Sequence, residues 1–168
     1  LPRGATPAGG GPFIDGEEET RTQRAAHMDT ATRIFSLPRP TKKDIGDLQD
    51  SLNGLDRQSG RRDGIFGART ASAAMETIKA NPDLAGKLSP WMLERLMYNG
   101  QRQNLKAFLM EGTATREPIK AVLNNPKAAI RDTQIWLAAL GLYKGDFDGI
   151  AGTETRAARR VRGRVRSG

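Results

Sequence analysis

The chain has 168 residues, of which 37% are hydrophobic and 27% charged, and its formal net charge is +8 at pH 7. No apolar run approaches the roughly 18 residues that a membrane helix needs, which predicts a soluble chain. The absence of cysteine excludes disulfides, thiolate nucleophiles and cysteine-ligated metals. This length allows one medium domain or two small ones, each with a modest core.

The excess positive charge lies at the C-terminus. Residues 1–41 contain five basic and five acidic residues, and residues 42–155 contain sixteen and fourteen. The last thirteen residues contain no acid and six arginines: Arg156, Arg159, Arg160, Arg162, Arg164 and Arg166. Such a tail can contact a polyanion through interactions that weaken with salt. The alternative interpretation, a solvated charge run, is the commoner one.

Residues 1–40 are predicted to form an extended arm. They contain the run Gly9-Gly10-Gly11-Pro12, three consecutive glutamates and few apolar residues, with a short helix expected from about Thr20 to Phe35. The chain starts at Leu1 rather than Met, and residues 1–12 lack the order of a signal peptide. We therefore expect a longer precursor that is cut, or a start that lies upstream.

A first helical unit is predicted over residues 41–100. Thr41 is suited to cap a helix over about 42–55, on which apolar residues recur at helical spacing. A second helix is expected over Ala68 to Lys79, since glycines interrupt the chain before it. Ser89-Pro90 is a typical start for a third helix.

A helical connector, 101–125, is predicted to contain two short helices broken near Gly112. A second unit, 126–161, is predicted to start at the Asn125-Pro126 pair with a helix through about Leu140, which Gly141 ends. A last helix is expected from Thr153 to about Val161. No third helix fits before the basic tail, 162–168, so this unit is predicted to be truncated.

The two units share twelve residues at a constant offset of 85 positions, which indicates that one supersecondary unit occurs twice. The pairs join Ile45, Asp47, Gln49, Leu52, Leu55, Gly60, Asp63, Gly64, Ile65, Gly67, Thr70 and Ala73 to Ile130, Asp132, Gln134, Leu137, Leu140, Gly145, Asp148, Gly149, Ile150, Gly152, Thr155 and Ala158.

The pattern of a Leu-Gln helix, an Asp-Gly-x-x-Gly-x-x-Thr turn and a helix with alanine on its inner face resembles the peptidoglycan-binding domain-like family. It occurs from Leu48 to Ala73, and again from Gln134 to Ala158 with the stretch Leu-Gly-Leu-Tyr-x-Gly-x-Phe-Asp-Gly. The first copy is also similar to the C-terminal module of phage-type muramidases. The resemblance implies an all-α fold of small helical bundles and affinity for cell walls.

The turn residues are predicted to be structural. Glycine adopts positive φ without steric cost, and an aspartate accepts hydrogen bonds from amides at a helix start. The turn set is Asp63, Gly64, Gly67 and Thr70, with Asp148, Gly149, Gly152 and Thr155 in the second copy. The second turn does not fit a calcium loop. Lys144 stands at the first ligand position, where an oxygen ligand is required, and Thr155 stands at the last, where a carboxylate is required.

Catalysis is not expected. A zinc peptidase usually needs at least two histidines, and the chain has one, His27. No nucleophile elbow accompanies that histidine. A glycosidase needs two carboxylates, and the number of acidic residues, 19, does not exclude one. The glutamate motif of the muramidases is, however, absent. No cofactor and no metal site are predicted.

Candidate ligand-binding residues follow from the chemistry of muropeptides, whose sugar faces suit aromatic rings and whose carboxylates suit arginine. The candidates are Trp136, Tyr143 and Arg156 in the second copy, and Gln49, Arg57 and Arg69 in the first. Each has a structural alternative: Trp136 in the core, Tyr143 under its turn, and Gln49 satisfying turn amides.

The sequence leaves two functions open. The first is a non-catalytic peptidoglycan-binding module that acts as a subunit of a larger assembly, such as a bacteriophage virion, tail or ejected protein, located in a virion or the bacterial cell envelope. The second is a purely structural subunit whose arginine tail contacts nucleic acid or an acidic partner. Other protein subunits are expected partners in both, and peptidoglycan in the first.

Overall fold

The structure, a computed structural model, describes residues 11–111 and 116–152, with side chains from 19–111 and 117–152. The fold of this part of the chain is all-α. Its helices are α1 (Gly11–Ser36), α2 (Lys42–Gly54), α3 (Ala68–Lys79), α4 (Pro90–Leu96), α5 (Arg102–Met110), α6 (Arg116–Leu123) and α7 (Ile130–Ala139). A short 3₁₀ turn covers Pro82–Leu84, and one π turn, Met97–Gln101, joins α4 to α5.

Side-chain caps fix two helix starts where the sequence predicts them. The Thr41 hydroxyl accepts a hydrogen bond from the Asp44 amide at 3.0 Å, and the Asp44 carboxylate accepts one from the Thr41 amide at 2.9 Å. The bond from the Thr41 amide is the largest of the effects that lower the pKa of Asp44. Ser89 caps α4 in the same way, through a bond from the Met92 amide. These contacts confirm both predicted caps.

The helices α2 and α7 end in the same hydrogen-bonded motif. The amides of Asp56 and Arg57 donate to carbonyls in the last turn of α2, at 3.1 and 2.9 Å. The amides of Gly141 and Leu142, 85 positions later, donate to the corresponding carbonyls of α7 at 2.9 and 2.8 Å. This is the Schellman motif, whose residue after the cap needs a left-handed conformation. Gly141 has φ +78°, which confirms that it ends its helix, whereas Asp56 adopts φ +62° with a side chain.

The extended arm predicted for residues 1–40 is wrong over Gly11–Glu19, which belong to the 26-residue helix α1, whereas the short helix expected from about Thr20 to Phe35 is confirmed as the rest of that helix. The glutamate run is a good helix former. The apolar residues that appear too sparse in sequence converge near the C-terminal end of the helix. Ala31, Ile34 and Phe35 are fully buried against the rest of the molecule. Residues 1–10 lie outside the described part.

Helix α7 begins four residues later than Asn125-Pro126 predicts. The Asn125 carboxamide oxygen accepts a bond from the Lys127 amide at 3.0 Å, which builds a local turn instead of a helix cap. The helix starts at Ile130, after Ala129. Both predicted connector helices are confirmed as α5 and α6, and Gly112 between them lies outside the described part, as does the predicted helix from Thr153.

One continuous hydrophobic core joins the predicted units. Helix α1 packs on α2, and α7 packs on α4 and α5. The Ser89 amide donates to the Phe35 carbonyl at 3.0 Å, which joins the end of α1 to the start of α4. Arg131 on α7 forms an ion pair with Glu94 on α4 at 2.8 Å. The second copy is therefore built onto the helices that follow the first turn.

None of the described helices combines the length and the apolar character needed to cross a bilayer.

The Schellman positions predict opposite responses to substitution. Gly141→Ala will lower the free energy of unfolding by about 1–2 kcal/mol, because alanine is strained at φ +78°. Asp56→Gly will raise it by up to about 1 kcal/mol, since glycine relieves the strain at φ +62°. Urea unfolding of both variants measures the difference. The account is contradicted if the two changes have the same sign.

Candidate functional site

The first turn is organised by the side chain of one buried glutamine. Gln49, on the inner face of α2, is 1% exposed. Its carboxamide nitrogen donates to the Asp63 carboxylate at 2.8 Å, the Ile65 carbonyl at 3.0 Å and the Thr70 hydroxyl at 3.1 Å. Its oxygen accepts bonds from the amides of Asp63 and Gly64 at 3.0 and 2.9 Å. One side chain on α2 therefore pairs with two amides, one carbonyl, one carboxylate and one hydroxyl of the Asp-Gly turn.

The second turn repeats this arrangement around Gln134, which is fully buried. The Gln134 nitrogen donates to the Asp148 carboxylate at 3.1 Å and the Ile150 carbonyl at 3.0 Å, and its oxygen accepts from the Gly149 amide at 3.0 Å. A further acceptor is the Tyr143 hydroxyl at 3.3 Å. The repeated residues thus make repeated contacts.

The two turn aspartates are held in their charged form. The Ile65 amide donates to the Asp63 carboxylate at 2.9 Å, and this bond, followed by that from Gln49, lowers the pKa of Asp63. The Ile150 amide, followed by Gln134, lowers the pKa of Asp148 in the same way. Both turns therefore contain a carboxylate that accepts hydrogen bonds, but the backbone donor is the amide two residues on, within the turn, and not an amide at the helix start as predicted from the sequence.

A cleft of about 270 Å³ opens beside the first turn, and we call it the turn cleft. Arg61 and Arg69 line it together with turn residues. The Arg69 guanidinium lies over Gly60, 3.5 Å from the position that a Cβ would occupy there. Arg69 forms no ion pair with any residue in the described ranges, so the cleft carries an arginine available to an anion.

The structure brings two of the three predicted ligand-binding residues of the first copy to the turn cleft and places the third elsewhere. Arg69 lines the turn cleft and is exposed. Gln49 also lines it, but its carboxamide is occupied by the turn, which matches the structural alternative. Arg57 lies on the outer surface, where its guanidinium is 3.5 Å from the Glu76 carboxylate.

The aromatic candidates of the second copy are buried. Trp136 is 3% exposed within the core, and Tyr143 is 6% exposed under the second turn. The Tyr143 hydroxyl donates to the Asp146 carbonyl at 2.6 Å, and its ring stacks on Phe147 with centroids 6.5 Å apart. Neither ring presents its face on the surface. Their positions correspond to the structural alternatives.

Several predicted residues lie outside the described ranges. They are Thr155, Ala158 and the tail arginines Arg156, Arg159, Arg160, Arg162, Arg164 and Arg166.

A surface that the sequence analysis missed lies next to the first turn, and we call it the aromatic platform: Phe66, Trp91, Arg95 and Tyr98. The rings of Phe66 and Trp91 meet edge to face with centroids 5.8 Å apart, and the Arg95 guanidinium lies 5.0 Å from the Trp91 ring centroid. Tyr98, 64% exposed, follows Trp91 by seven positions and directly precedes Asn99, whose carboxamide contacts the Phe66 carbonyl. Trp91, Arg95 and Tyr98 recur at the spacing of one helix face, which is visible in the sequence. The same spacing equally fits a stripe of residues that faces the core, so it does not predict a surface.

The platform is joined to the turn through a polar bridge. The Asn99 carboxamide donates to the Phe66 carbonyl at 3.3 Å and to the Arg95 carbonyl at 2.8 Å. Phe66 itself lies between the turn residues Asp63 and Gly67 in sequence. The rigid turn therefore positions one side of the platform, and α4 positions the other.

The side chains described here form no cluster of three or more potential metal ligands. His27 lies at the contact of α1 with α2, where its imidazole packs against Gly54. The site is thus composed of a hydrogen-bonded turn, an arginine-lined cleft and exposed aromatic rings, which is an arrangement suited to binding.

The glutamine carboxamide is predicted to be irreplaceable by a carboxylate. Gln49→Glu removes the donor to Asp63 and places two negative charges in contact, so the free energy of unfolding should fall by about 2–3 kcal/mol. Gln134→Glu should have a similar effect. The matched control, Gln103→Glu on the exposed face of α5, should stay within about 0.5 kcal/mol of wild type. Equal effects at all three positions would refute the assignment.

The turn aspartates predict a loss of stability in acid. Because the folded protein lowers both pKa values, ionised Asp63 and Asp148 stabilise it above the unfolded value of 3.8, and this stability is lost as the pH falls through the folded values. The double variant Asp63→Asn, Asp148→Asn should show a shallower pH dependence of the melting temperature between about pH 5 and 2. Since hydrogen bonds are the main cause, added salt should leave the difference in place.

Comparison of the chain with protein-family models, with curated proteins and with solved structures gives no match, so the assignment of a function rests on the geometry described above.

Proposed function

We propose that this chain is a non-catalytic module that binds bacterial peptidoglycan and acts as a subunit of a larger assembly. The observation that carries the proposal is the aromatic platform beside the arginine-lined turn cleft. An exposed tyrosine, a half-buried tryptophan and two arginines lie around one rigid turn.

The chemistry of the two surfaces matches the two components of peptidoglycan. The apolar faces of sugar rings pack on aromatic side chains, and Tyr98 and Trp91 offer such faces on one side of the turn. The carboxylates of the peptide stems pair with guanidinium groups, which Arg61 and Arg69 offer on the other side. Ile65, 63% exposed between them, adds an apolar contact.

The proposal assigns ligand contact to the first copy of the repeat. The aromatic candidates of the second copy, Tyr143 and Trp136, are withdrawn into the interior, and Phe147 stacks on Tyr143. In the first copy Gln49 acts as support for the turn, and Arg57 is paired at the periphery. The binding residues are therefore ones that the two copies do not share.

The setting that we infer is a bacteriophage virion, tail or ejected protein, or the bacterial cell envelope, because a wall-binding module has its ligand there. Within such an assembly the wall-binding surface would face outward, and the opposite helices would meet neighbouring subunits.

The second candidate is a structural subunit whose arginine tail contacts nucleic acid or an acidic partner. Six arginines without an acid in residues 156–168 favour it. Deletion of residues 156–168 separates the two candidates. Peptidoglycan sedimentation that survives the deletion supports wall binding, whereas salt-sensitive DNA binding that is lost with the tail supports the second candidate.

Wall binding is predicted to depend on Tyr98. In sedimentation with insoluble peptidoglycan, Tyr98→Ala should weaken binding about three- to tenfold, because it removes one stacking surface. The matched control is Ile150→Ala, which removes an equally exposed apolar side chain, 66% exposed, at the second turn. This control should bind as wild type does.

Failure of the full chain to sediment with peptidoglycan would refute the proposal, as would equal effects of the two substitutions. Turbidity clearing of purified cell walls by the isolated chain would refute the non-catalytic assignment.

A further inference from the structure

A second cleft, of about 390 Å³, lies between the C-terminal ends of α1 and α6 and the N-terminal ends of α4 and α7, and we call it the junction cleft. Its volume is within the range of small-ligand pockets. Pro38, Val122 and Trp136 supply apolar wall, and Asp132 supplies a carboxylate. This cleft is separate from the aromatic platform and from the turn cleft in its lining residues.

The internal repeat provides a reference for Asp132. Its counterpart in the first copy is Asp47, which pairs with Lys43 at 2.8 Å and with Arg62 at 2.9 Å. Hydrogen bonds from Lys43 and then Arg62 lower the pKa of Asp47. In the first copy, therefore, this carboxylate is neutralised by two cations from the chain itself.

Both cations are missing in the second copy. Ala128 stands where the first copy has Lys43, and Phe147 stands where it has Arg62. The Asp132 carboxylate forms no hydrogen bond or ion pair with any residue of 11–111 or 116–152. Ala128 itself lines the junction cleft, so the space on that side of the carboxylate is open.

The neighbouring cations do not replace the missing ones. Arg131, the next residue, points to α4 and to the second turn, where it donates to Glu94 at 2.8 Å and to the Phe147 carbonyl at 3.1 Å. Lys87 lines the cleft but is exposed and makes no ion pair with the described residues. The position of Asp132 in the first turn of α7 explains a favourable carboxylate there, but not the open, partly apolar space in front of it.

We propose that the junction cleft binds an alkylammonium group carried on an apolar stem, with the ammonium paired to Asp132 and the stem packed on Val122 and Trp136. A free ammonium ion alone would leave most of the cleft unfilled, and an uncharged apolar group would leave the carboxylate unpaired. A lysine-like chain satisfies both parts of the lining. Two sources offer this chemistry: the side-chain amine of the diamino acid in a peptidoglycan stem, and a lysine of a neighbouring protein subunit.

The test is NMR titration of the full chain with Nα-acetyl-lysine methylamide, whose side-chain amine is free. A parallel titration uses its uncharged analogue, Nα-acetyl-norleucine methylamide. The lysine probe should shift the indole signal of Trp136 and the amides of Val122 and Asp132, and leave the indole signal of Trp91 unchanged. The norleucine probe should bind at least about tenfold more weakly, since it lacks the charged hydrogen bonds.

Three variants locate the effect. Asp132→Asn should weaken lysine-probe binding about tenfold, whereas the matched Asp47→Asn in the first copy should leave it unchanged. Ala128→Lys restores the first copy's cation and should also weaken binding, by pairing with Asp132 and filling the cleft. Because this third variant keeps the carboxylate, it tests the proposal even if Asp132→Asn folds poorly.

The source of the amine is distinguished by two further ligands: a soluble muropeptide with a free diamino-acid amine, and the same muropeptide acetylated on that amine. Shifts of the cleft signals that disappear on acetylation support the proposal and assign the amine to the cell wall. Binding of the lysine probe without binding of either muropeptide supports it and assigns the amine to a protein. Equal binding of both small probes, or no shift at Trp136, overturns it regardless of the outcome of the wall sedimentation.

Discussion

The hydrogen bonds of one buried glutamine hold each Asp-Gly turn against its helix, and the other surfaces of the molecule depend on this contact. Gln49 presents both a donor and an acceptor to the turn, so two amides and one carbonyl of an irregular segment find partners on the helix. An apolar residue at this position would pack on the helix but leave those groups unpaired. The turn then fixes where Phe66 and Arg69 leave the backbone, which is why the aromatic platform and the turn cleft have a defined geometry.

Local chemistry was sufficient to predict the parts of the fold that are decided locally. Three helix ends are recognisable in the sequence: the caps at Thr41 and Ser89, and Gly141 at the end of α7. Each of these residues starts or stops a helix and also takes part in the hydrogen bonds that satisfy free backbone groups at that end. The start of α7 was mispredicted because Asn125 closes a local turn equally well. The start of α1 was predicted nine residues too late, at about Thr20, because residues 11–19 contain two glycines, a proline and few apolar residues.

The functional surfaces were harder to predict than the helices, and the reason is burial. An aromatic residue on an amphipathic helix is compatible with the core and with the surface, and only packing decides between them. The structure places Trp136 inside and leaves Trp91 partly exposed. The sequence indicated Trp136, and not Trp91, as a candidate ligand-binding residue. The two copies share the residues that build the turn, and they differ at the residues that surround it, such as Lys43 and Ala128. The same turn scaffold therefore carries different surroundings in the two copies.

The long helix α1 also has a mechanical consequence. Its residues 19–26 are all exposed, and packing begins at His27, which contacts Gly54 on α2. The part of α1 before His27 therefore projects from the core, and two contacts hold it there: the close contact of His27 with Gly54, and the ion pair of Arg24 with Asp56 at 3.2 Å. With 1.5 Å of rise per residue, the stretch from Gly11 to His27 measures roughly 24 Å, so a tilt of about 10° about these contacts would move its far end by about 4 Å. The geometry of two contacts near the end of α2 thus sets the direction of the whole projecting segment.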